Sequence, residues 1–267
     1  MISIISPSIA NLSLLPISFN DAKVAFDRFF DTVDLPGESQ DGSECPAIRS
    51  ITISNLSYAY IGRKAIINNL SASFCVGKIN CIIGKSGSGK STFCKLLDKS
   101  YHTADDSSLL INNEIPLNSI RLSDYRRHVG VVPQDILMTE GTVLQNICAG
   151  LDGAMQDVLS RAVGVFQSHG LIPYLMALPN GLNTVVGEAG VSLSGGELQL
   201  VAFSRLLVHN PDVFILDEPT SAMDPQLRDH IWNLLCTLCN SHLVIVVTHQ
   251  DAMLQKFSDH VNYITLQ

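Results

Sequence analysis

Nine residues, GKSGSGKST from Gly84 to Thr92, constrain this chain more than any others. They fit the pattern G-x-x-x-x-G-K-[ST], follow the apolar run INCII and precede STFCKLL, which reads as a helix. A strand that ends in a glycine-rich turn and restarts as a helix points to an α/β layout. The same nine residues carry chemistry. Gly84, Gly87 and Gly89 let the backbone wrap closely, so that amides along Lys85, Ser86, Gly87, Ser88 and Gly89, with the helix N-terminus, face phosphate oxygens. Lys90 is then expected to reach the β and γ phosphates, Ser91 to offer its hydroxyl to Mg²⁺, and Thr92 to make a secondary phosphate contact.

The rest of the chain supports that layout. ITISNLSYAY alternates like a strand, while INCIIG, VGVV, VFILD and LVIVVT are short continuous apolar runs suited to strands covered on both faces. Periodicity alone does not separate such runs from buried helix. Helical patterns lie between them, the order of an α/β domain with a largely parallel sheet. Between about 140 and 212 the strand signal fades, and MQDVLSRAVGVFQ and GELQLVAFSRLLV have helical patterns, so an inserted helical subdomain is expected there.

Composition narrows the partners. The chain is 46% hydrophobic and 16% charged, which favours surfaces that meet another protein. Its net charge of −8 argues against nucleic acid, which calls for a basic face. Seven cysteines without a spaced framework read as reduced thiols, and the lone pair Cys236 and Cys239 as helix positions.

A phosphate cradle needs an acid for its metal, and VFILDEPT supplies two at a strand's C-terminal end, where ligands of open α/β sheets gather. Asp217 is the candidate Mg²⁺ partner and Glu218 the candidate general base for an attacking water. VSLSGGELQL, residues 191–200, then poses a puzzle: it is a second glycine-rich turn in a chain whose first already suffices for one phosphate chain.

From about Ile48 nearly to the C-terminus, these motifs resemble the nucleotide-binding domain of ATP-binding cassette (ABC) transporters. VSLSGGE is similar to the LSGGQ signature and lies just before LDEPTSAMD, in the family's order. Gln134 in VVPQD resembles the Q-loop glutamine, which contacts Mg²⁺ and water. His249 in VVTHQ resembles the switch histidine that holds the γ-phosphate, and Ser221 to Asp224 resemble the D-loop. Tyr60 resembles the aromatic that stacks on adenine, and Tyr58 shares its side of the strand.

The resemblance implies a P-loop NTPase fold: a RecA-like, mainly parallel sheet core, an N-terminal antiparallel β subdomain and an inserted α-helical signature subdomain. It also implies an ATPase that uses ATP and Mg²⁺, with a second ABC domain and a transmembrane domain as partners, at the cytoplasmic face of a membrane. Ser194, Gly195 and Gly196 would offer a helix N-terminus to the γ-phosphate held by the other cassette, so the two turns would belong to different sites. The signature's usual glutamine is Glu197 here.

LPNGLNTVVGEAGVSLSGGE is similar to the exporter segment before the signature, with Glu188 in the place of the residue that meets the membrane domain's coupling helices. The segment's usual first Glu is Val185 here, and its usual Arg is Ala189. Farther upstream, NDAKVAFDRFFDTVD spaces Ala22, Ala25, Phe26, Phe29, Phe30 and Val33 as an amphipathic helix, and ESQDGSECP reads as a linker. SPSIANLSLLPISFNDAKVAFDRFFDTVDLPGES resembles the end of the last transmembrane helix and the connecting helix of peptide and bacteriocin exporters. Residues 1–47 are therefore expected to be that remnant, and 48–267 the ABC ATPase domain. The implied function is export of a peptide or lipophilic substrate, driven by MgATP-dependent closure of two cassettes. An ATP-dependent regulator without transport and a truncated exporter fragment remain open alternatives.

Overall fold

The computed structural model describes residues 23, 24, 26, 27, 41–85, 87–102, 108–187, 190–249 and 251–266. Contacts divide the chain into Met1–Ser39 and Gln40–Gln267. In the first unit Lys23, Val24, Phe26 and Asp27 are helical, within the stretch expected to form an amphipathic helix. The expected transmembrane remnant and the rest of that helix lie outside the described residues. Among the described residues no helix is long and apolar enough to cross a membrane.

In chain order the second unit runs β1 (Ser50–Ala59), β2 (Ala65–Cys75), β3 (Ile79–Ile83), α1 (Lys90–Leu97), β4 (Leu109–Ile111), β5 (Ile115–Pro116), α2 (Leu122–His128) and β6 (Val129–Val132). It continues with β7 (Gly141–Thr142), α3 (Val143–Cys148), α4 (Met155–Ser168), α5 (Ile172–Met176), β8 (Val185–Val186) and α6 (Gly195–His209). It closes with β9 (Val213–Asp217), α7 (Pro225–Leu238), β10 (Leu243–Val247), α8 (Asp251–Lys256) and β11 (Val261–Thr265).

Five strands form one sheet in the order β11-β3-β10-β9-β6, every pairing parallel. The apolar runs INCIIG, VFILD and LVIVVT are covered in this way, whereas VGVV is the edge strand β6, with Val131 exposed. Along β10, Val244 and Val246 face one buried cluster with α6 and α7, while Leu243, Ile245 and Val247 face another with α1 and β1. Strand β9 alternates likewise, Phe214 and Leu216 against Val213 and Ile215. Full burial of each such side chain contributes roughly 1.5–3 kcal/mol, so both faces hold the sheet. Asn80 is the polar exception on β3. Its amide donates to the carbonyls of Cys75, Lys78 and Val244 and its oxygen accepts from Asn262, which satisfies it inside the core.

A second, antiparallel sheet has the order β2-β1-β4-β5. The β1–β2 pairing shifts register between Ile53 and Leu56 and again up to Ala59, with Asn55 and Asn69 at φ of +51° and +48°. These irregularities break the period of two. They explain why β2, AIINNLSASFC, gives a weak strand signal in sequence. Between β6 and β9 lie four helices, α3 to α6, joined by the short β7–β8 ladder. Capping boxes start two of them: Thr142 with Gln145 on α3, and Ser194 with Glu197 on α6.

Candidate functional site

Strand register places the site. Val247 of β10 lies opposite Ile82 of β3 on one side and Asp217 of β9 on the other. The glycine loop, the acid pair and the segment bearing His249 therefore leave the sheet at one edge, the C-terminal ends of the strands. There they line a cavity of about 520 Å³ with Gly87, Gly89, Lys90, Ser91, Gln134, Asp217, Glu218 and His249 in its wall.

Within the loop, Gly87 and Gly89 have φ of +81° and +90°, a conformation that side chains resist. At Gly89 a Cβ would also lie 2.6 Å from Ile66 Cγ2. The turn aims the N-terminus of α1 and places Lys90 inside, 8% exposed, where its ammonium donates to the carbonyls of Gly84 and Lys85, both at 2.8 Å. Ser91 Oγ donates to Asp217 Oδ2 at 3.0 Å, a direct tie between loop and acid strand. Burial raises the Asp217 pKa, against the Ser91 hydrogen bond and the charges of Lys90 and His249, which lower it.

Glu218 sits at φ of +51°, an αL conformation unusual for a glutamate, and its amide donates to the Val247 carbonyl at 2.9 Å. That bond is the last rung of the β9–β10 pairing, and the left-handed residue ends the strand there. His249 Nε2 lies 3.9 Å from Glu218 Oε1. Oε1 is buried and has no hydrogen-bond partner. Burial pushes the Glu218 pKa up, and the charge and backbone of His249 pull it down. A buried carboxylate oxygen left unpaired beside a phosphate-type loop suits a base that awaits a water.

The residues fit a nucleotide triphosphate with a hard cation. Amides, an ammonium and a helix start face the cavity from one wall, and oxygen donors from Ser91, Gln134 and Asp217 from another. Among the described residues no three His, Cys, Asp or Glu side chains gather to hold a metal alone. A cation here would complete its shell with phosphate oxygens and water.

The second glycine turn is elsewhere. Ser194 and Gly196 line a separate cavity of about 310 Å³, with Glu197, Ala222 and Asp224. Ser194 caps α6: Glu197 N donates to its Oγ at 3.3 Å, and its own amide and hydroxyl donate to Glu197 Oε2, both at 2.7 Å. Glu197, in the place of the resembled glutamine, is thus occupied in a capping box. Gly195 and Gly196 pack against the loop at 221–224; a Cβ on Gly196 would lie 2.6 Å from the Ala222 carbonyl oxygen.

Sequence reasoning missed Gln199. It is 7% exposed, donates to the Glu218 carbonyl and to Ser221 Oγ, both at 2.9 Å, and accepts from the Ala222 amide at 3.1 Å. It ties the signature helix to the backbone of the candidate base. A lone glutamine inside LQLVAF was the available signal. Tyr60 joins Tyr58 and Tyr101 in an aromatic cluster at centroid distances of 5.4 and 5.5 Å. Its hydroxyl is 3.0 Å from Thr92 Oγ1, so the expected base-stacking and phosphate-contacting side chains meet each other. Ser86 and Glu188 lie outside the described residues. Cys236 lies on α7 and Cys239 caps it, both thiols pushed up by burial.

Known proteins are similar to this chain. A lipid A-core flippase of Haemophilus influenzae is 33% identical over 255 residues, 94% of this chain and 42% of that protein. The Toxin RTX-I translocation ATP-binding protein of Actinobacillus pleuropneumoniae is 32% identical over 250 residues, 92% of this chain and 34% of that protein. A solved structure, a bacterial Atm1-family ABC exporter with ATP bound, superposes with a TM-score of 0.79 at 27% identity, covering 96% of this chain and 44% of that one. The chain spans about two fifths of the length of such relatives. The sequence model of the ABC transporter family matches residues 67–221, from β2 through Ser221, and the chain belongs to that family.

Proposed function

We propose that this chain is the ATP-binding and ATP-hydrolysing part of an ABC exporter, which couples closure of two cassettes to export of a peptide or lipophilic substrate. One observation carries the reading: Lys90, Ser91, Gln134, Asp217, Glu218 and His249, spread over 160 residues of sequence, line one cavity at one sheet edge. The names of the flippase and the toxin translocator support export by analogy.

In this reading the loop at 84–92 binds the phosphate chain, and Lys90 leaves its two carbonyls for β and γ phosphate oxygens. Ser91, Gln134 and Asp217 would hold Mg²⁺, which when bound neutralises developing phosphate charge. Glu218 accepts the proton of the attacking water, its raised pKa making it a better base than an exposed glutamate. His249 holds the γ-phosphate, and Gln199 keeps the Glu218 backbone in place. Tyr60 stacks on adenine after parting from Thr92.

Ser194, Gly195 and Gly196 complete the site of a second cassette, since in their own chain Ser194 and Gly196 line a different cavity. The membrane-spanning partner sets the location, the cytoplasmic face of a membrane, and chooses the substrate. Turnover measured against protein concentration is expected to rise more steeply than linearly at low concentration. Glu218→Gln is expected to lower it about 10²–10⁴-fold with ATP binding kept. Linear dependence would remove the shared site, and unchanged turnover in the variant would remove Glu218 as base. Recovery of the chain only in membrane-free complexes would favour a regulator without transport.

A further inference from the structure

The strands that carry the site are tied together at their other ends. Asp212, just before β9, takes two bonds on one oxygen: His128 Nδ1 donates to Oδ2 at 2.6 Å and the Ile48 amide at 2.9 Å. A carboxylate oxygen accepts, so the ring nitrogen carries the proton in this contact. The Asp212 carbonyl accepts from the Leu243 amide at 2.8 Å, at the start of β10. One residue thus joins the lead-ins of β6, β9 and β10 to the segment that precedes β1.

That segment, residues 42–49, is laid down as a strap. Ser43 pairs with Ile120 as an isolated parallel bridge, its amide donating to the Ser119 carbonyl and its carbonyl accepting from the Arg121 amide, both at 2.8 Å. Ile48 is 1% exposed and shares a buried cluster with Val213 and Leu243. Arg49 Nη1 donates to the Ser241 carbonyl at 3.0 Å. Cys45 is partly buried on the same strap, and burial, followed by the charge of Asp212, pushes its thiol up to about 11.

The edge strand β6 depends on this tie more than its neighbours do. It has four residues and one partner, with Val129 to Val132 opposite Val213 to Leu216 of β9. His128 and Asp212 are the next pair back along that register. At the forward end Asp217 follows Leu216, and Gln134 lies two residues past Val132, both in the wall of the nucleotide cavity. A bond at one end of so short a pairing fixes the offset at the other, about 17 Å away. The glycine loop instead leaves β3, with β10 and β9 between it and β6.

We infer that Asp212 is a positioning residue for the cation side of the site: through His128 it sets where β6 delivers Gln134 against Asp217, and through Ile48 the strap holds that setting. The inference rests on the reading of the cavity as an ATPase site, and it adds the residue that aligns two of the side chains assigned there to Mg²⁺.

Three variants of the full chain test this. Asp212→Ala cuts both bonds, His128→Ala cuts only the tie to α2, and Ser43→Pro removes a strap amide at an exposed position. In EDTA, each is expected to bind ATP within about twofold of wild type, since the glycine loop hangs on β3. The Mg²⁺ concentration that half-saturates turnover is expected to rise about three- to tenfold, less than the roughly 10–100-fold typical of losing a direct outer-shell partner. Binding of Mn²⁺ to the ATP-loaded chain, read by EPR, should weaken alike. Asp212→Asn keeps an oxygen that accepts both bonds and should restore most of the wild-type midpoint. Maleimide labelling of Cys45, mapped by mass spectrometry against the exposed Cys75, should quicken in Asp212→Ala and Ser43→Pro. Unmoved Mg²⁺ midpoints, or ATP affinity in EDTA lowered as much as cation affinity, overturns the inference. Faster Cys45 labelling with the cation site unaltered also overturns it, leaving a strap with no part in the site. A wild-type chain that neither binds nor hydrolyses ATP sinks the ATPase reading, whereas wild-type turnover with unmoved variant midpoints sinks only the Asp212 tie.

Discussion

The two glycine turns use the same residue for different physical ends. In the loop at 84–92, Gly87 is needed for backbone shape alone: it has φ of +81°, yet a Cβ there would meet nothing within 4 Å. In the turn at 194–196, glycine is needed for space: Gly196 has no positive φ, but its Cβ would press on the Ala222 carbonyl at 2.6 Å. The first turn wraps the chain closely enough to hold a phosphate. The second lets a helix start lie against the loop at 221–224 and point outward. A composition shared by two motifs therefore says little until the constraint on each glycine is known.

That contrast can be broken by substitution. Gly196→Ala is expected to cost about 1–3 kcal/mol in chemical denaturation, because backbone must shift to admit the methyl group. Gly87→Ala should cost only about 1–2 kcal/mol, the price of a left-handed residue without a clash. Equal losses with structural shifts at both sites would erase the distinction.

Gln199→Leu sharpens the link between the turns. It removes two donated hydrogen bonds and one accepted bond, leaving the Ala222 amide short of a partner, while the Glu218 carbonyl keeps the Ser221 hydroxyl at 3.1 Å. A loss of about 1–3 kcal/mol is expected, with kcat lowered more than ATP affinity. Unaltered kcat would reduce Gln199 to a packing residue.

The contribution of Glu218 to stability should depend on pH. Glu218 has a folded pKa raised by burial, so its contribution to stability is present below the ordinary carboxylate range and lost as pH rises through the raised value. Glu218→Gln should therefore raise Tm at neutral pH and lose that advantage in acid. Glu197→Gln keeps an oxygen acceptor for the Ser194 amide and hydroxyl, and should move stability by under about 0.5 kcal/mol. A Tm gain for Glu218→Gln that ignores pH would contradict the burial argument.

Much of the fold was legible because the inner parallel strands are buried on both faces and so read as unbroken apolar runs: VFILD and LVIVVT are β9 and β10 residue for residue up to Val247. Strand β2 was not, since its bulged pairing scrambles the alternation and leaves most of it partly exposed. The cavity around the glycine loop was readable from motif order, because backbone shape and charge there call for particular residue types at fixed spacing. Ser91 hydrogen-bonds to Asp217, and Gln134 lines the same cavity. The Gln199 bridge and the Asp212 tie were hidden. Both depend on groups brought together by tertiary packing, and residues 48, 128 and 212 show no pattern along the chain.

The central claim, that the two turns complete each other's sites across two chains, has a direct test. Lys90→Ala disables the first turn and Ser194→Arg the second, and each alone is expected to abolish ATP turnover. Mixed, they can form a heterodimer in which the intact loop of one chain faces the intact signature of the other. Turnover well above the sum of the two separate rates is the expected result; a mixture no more active than that sum would contradict the account.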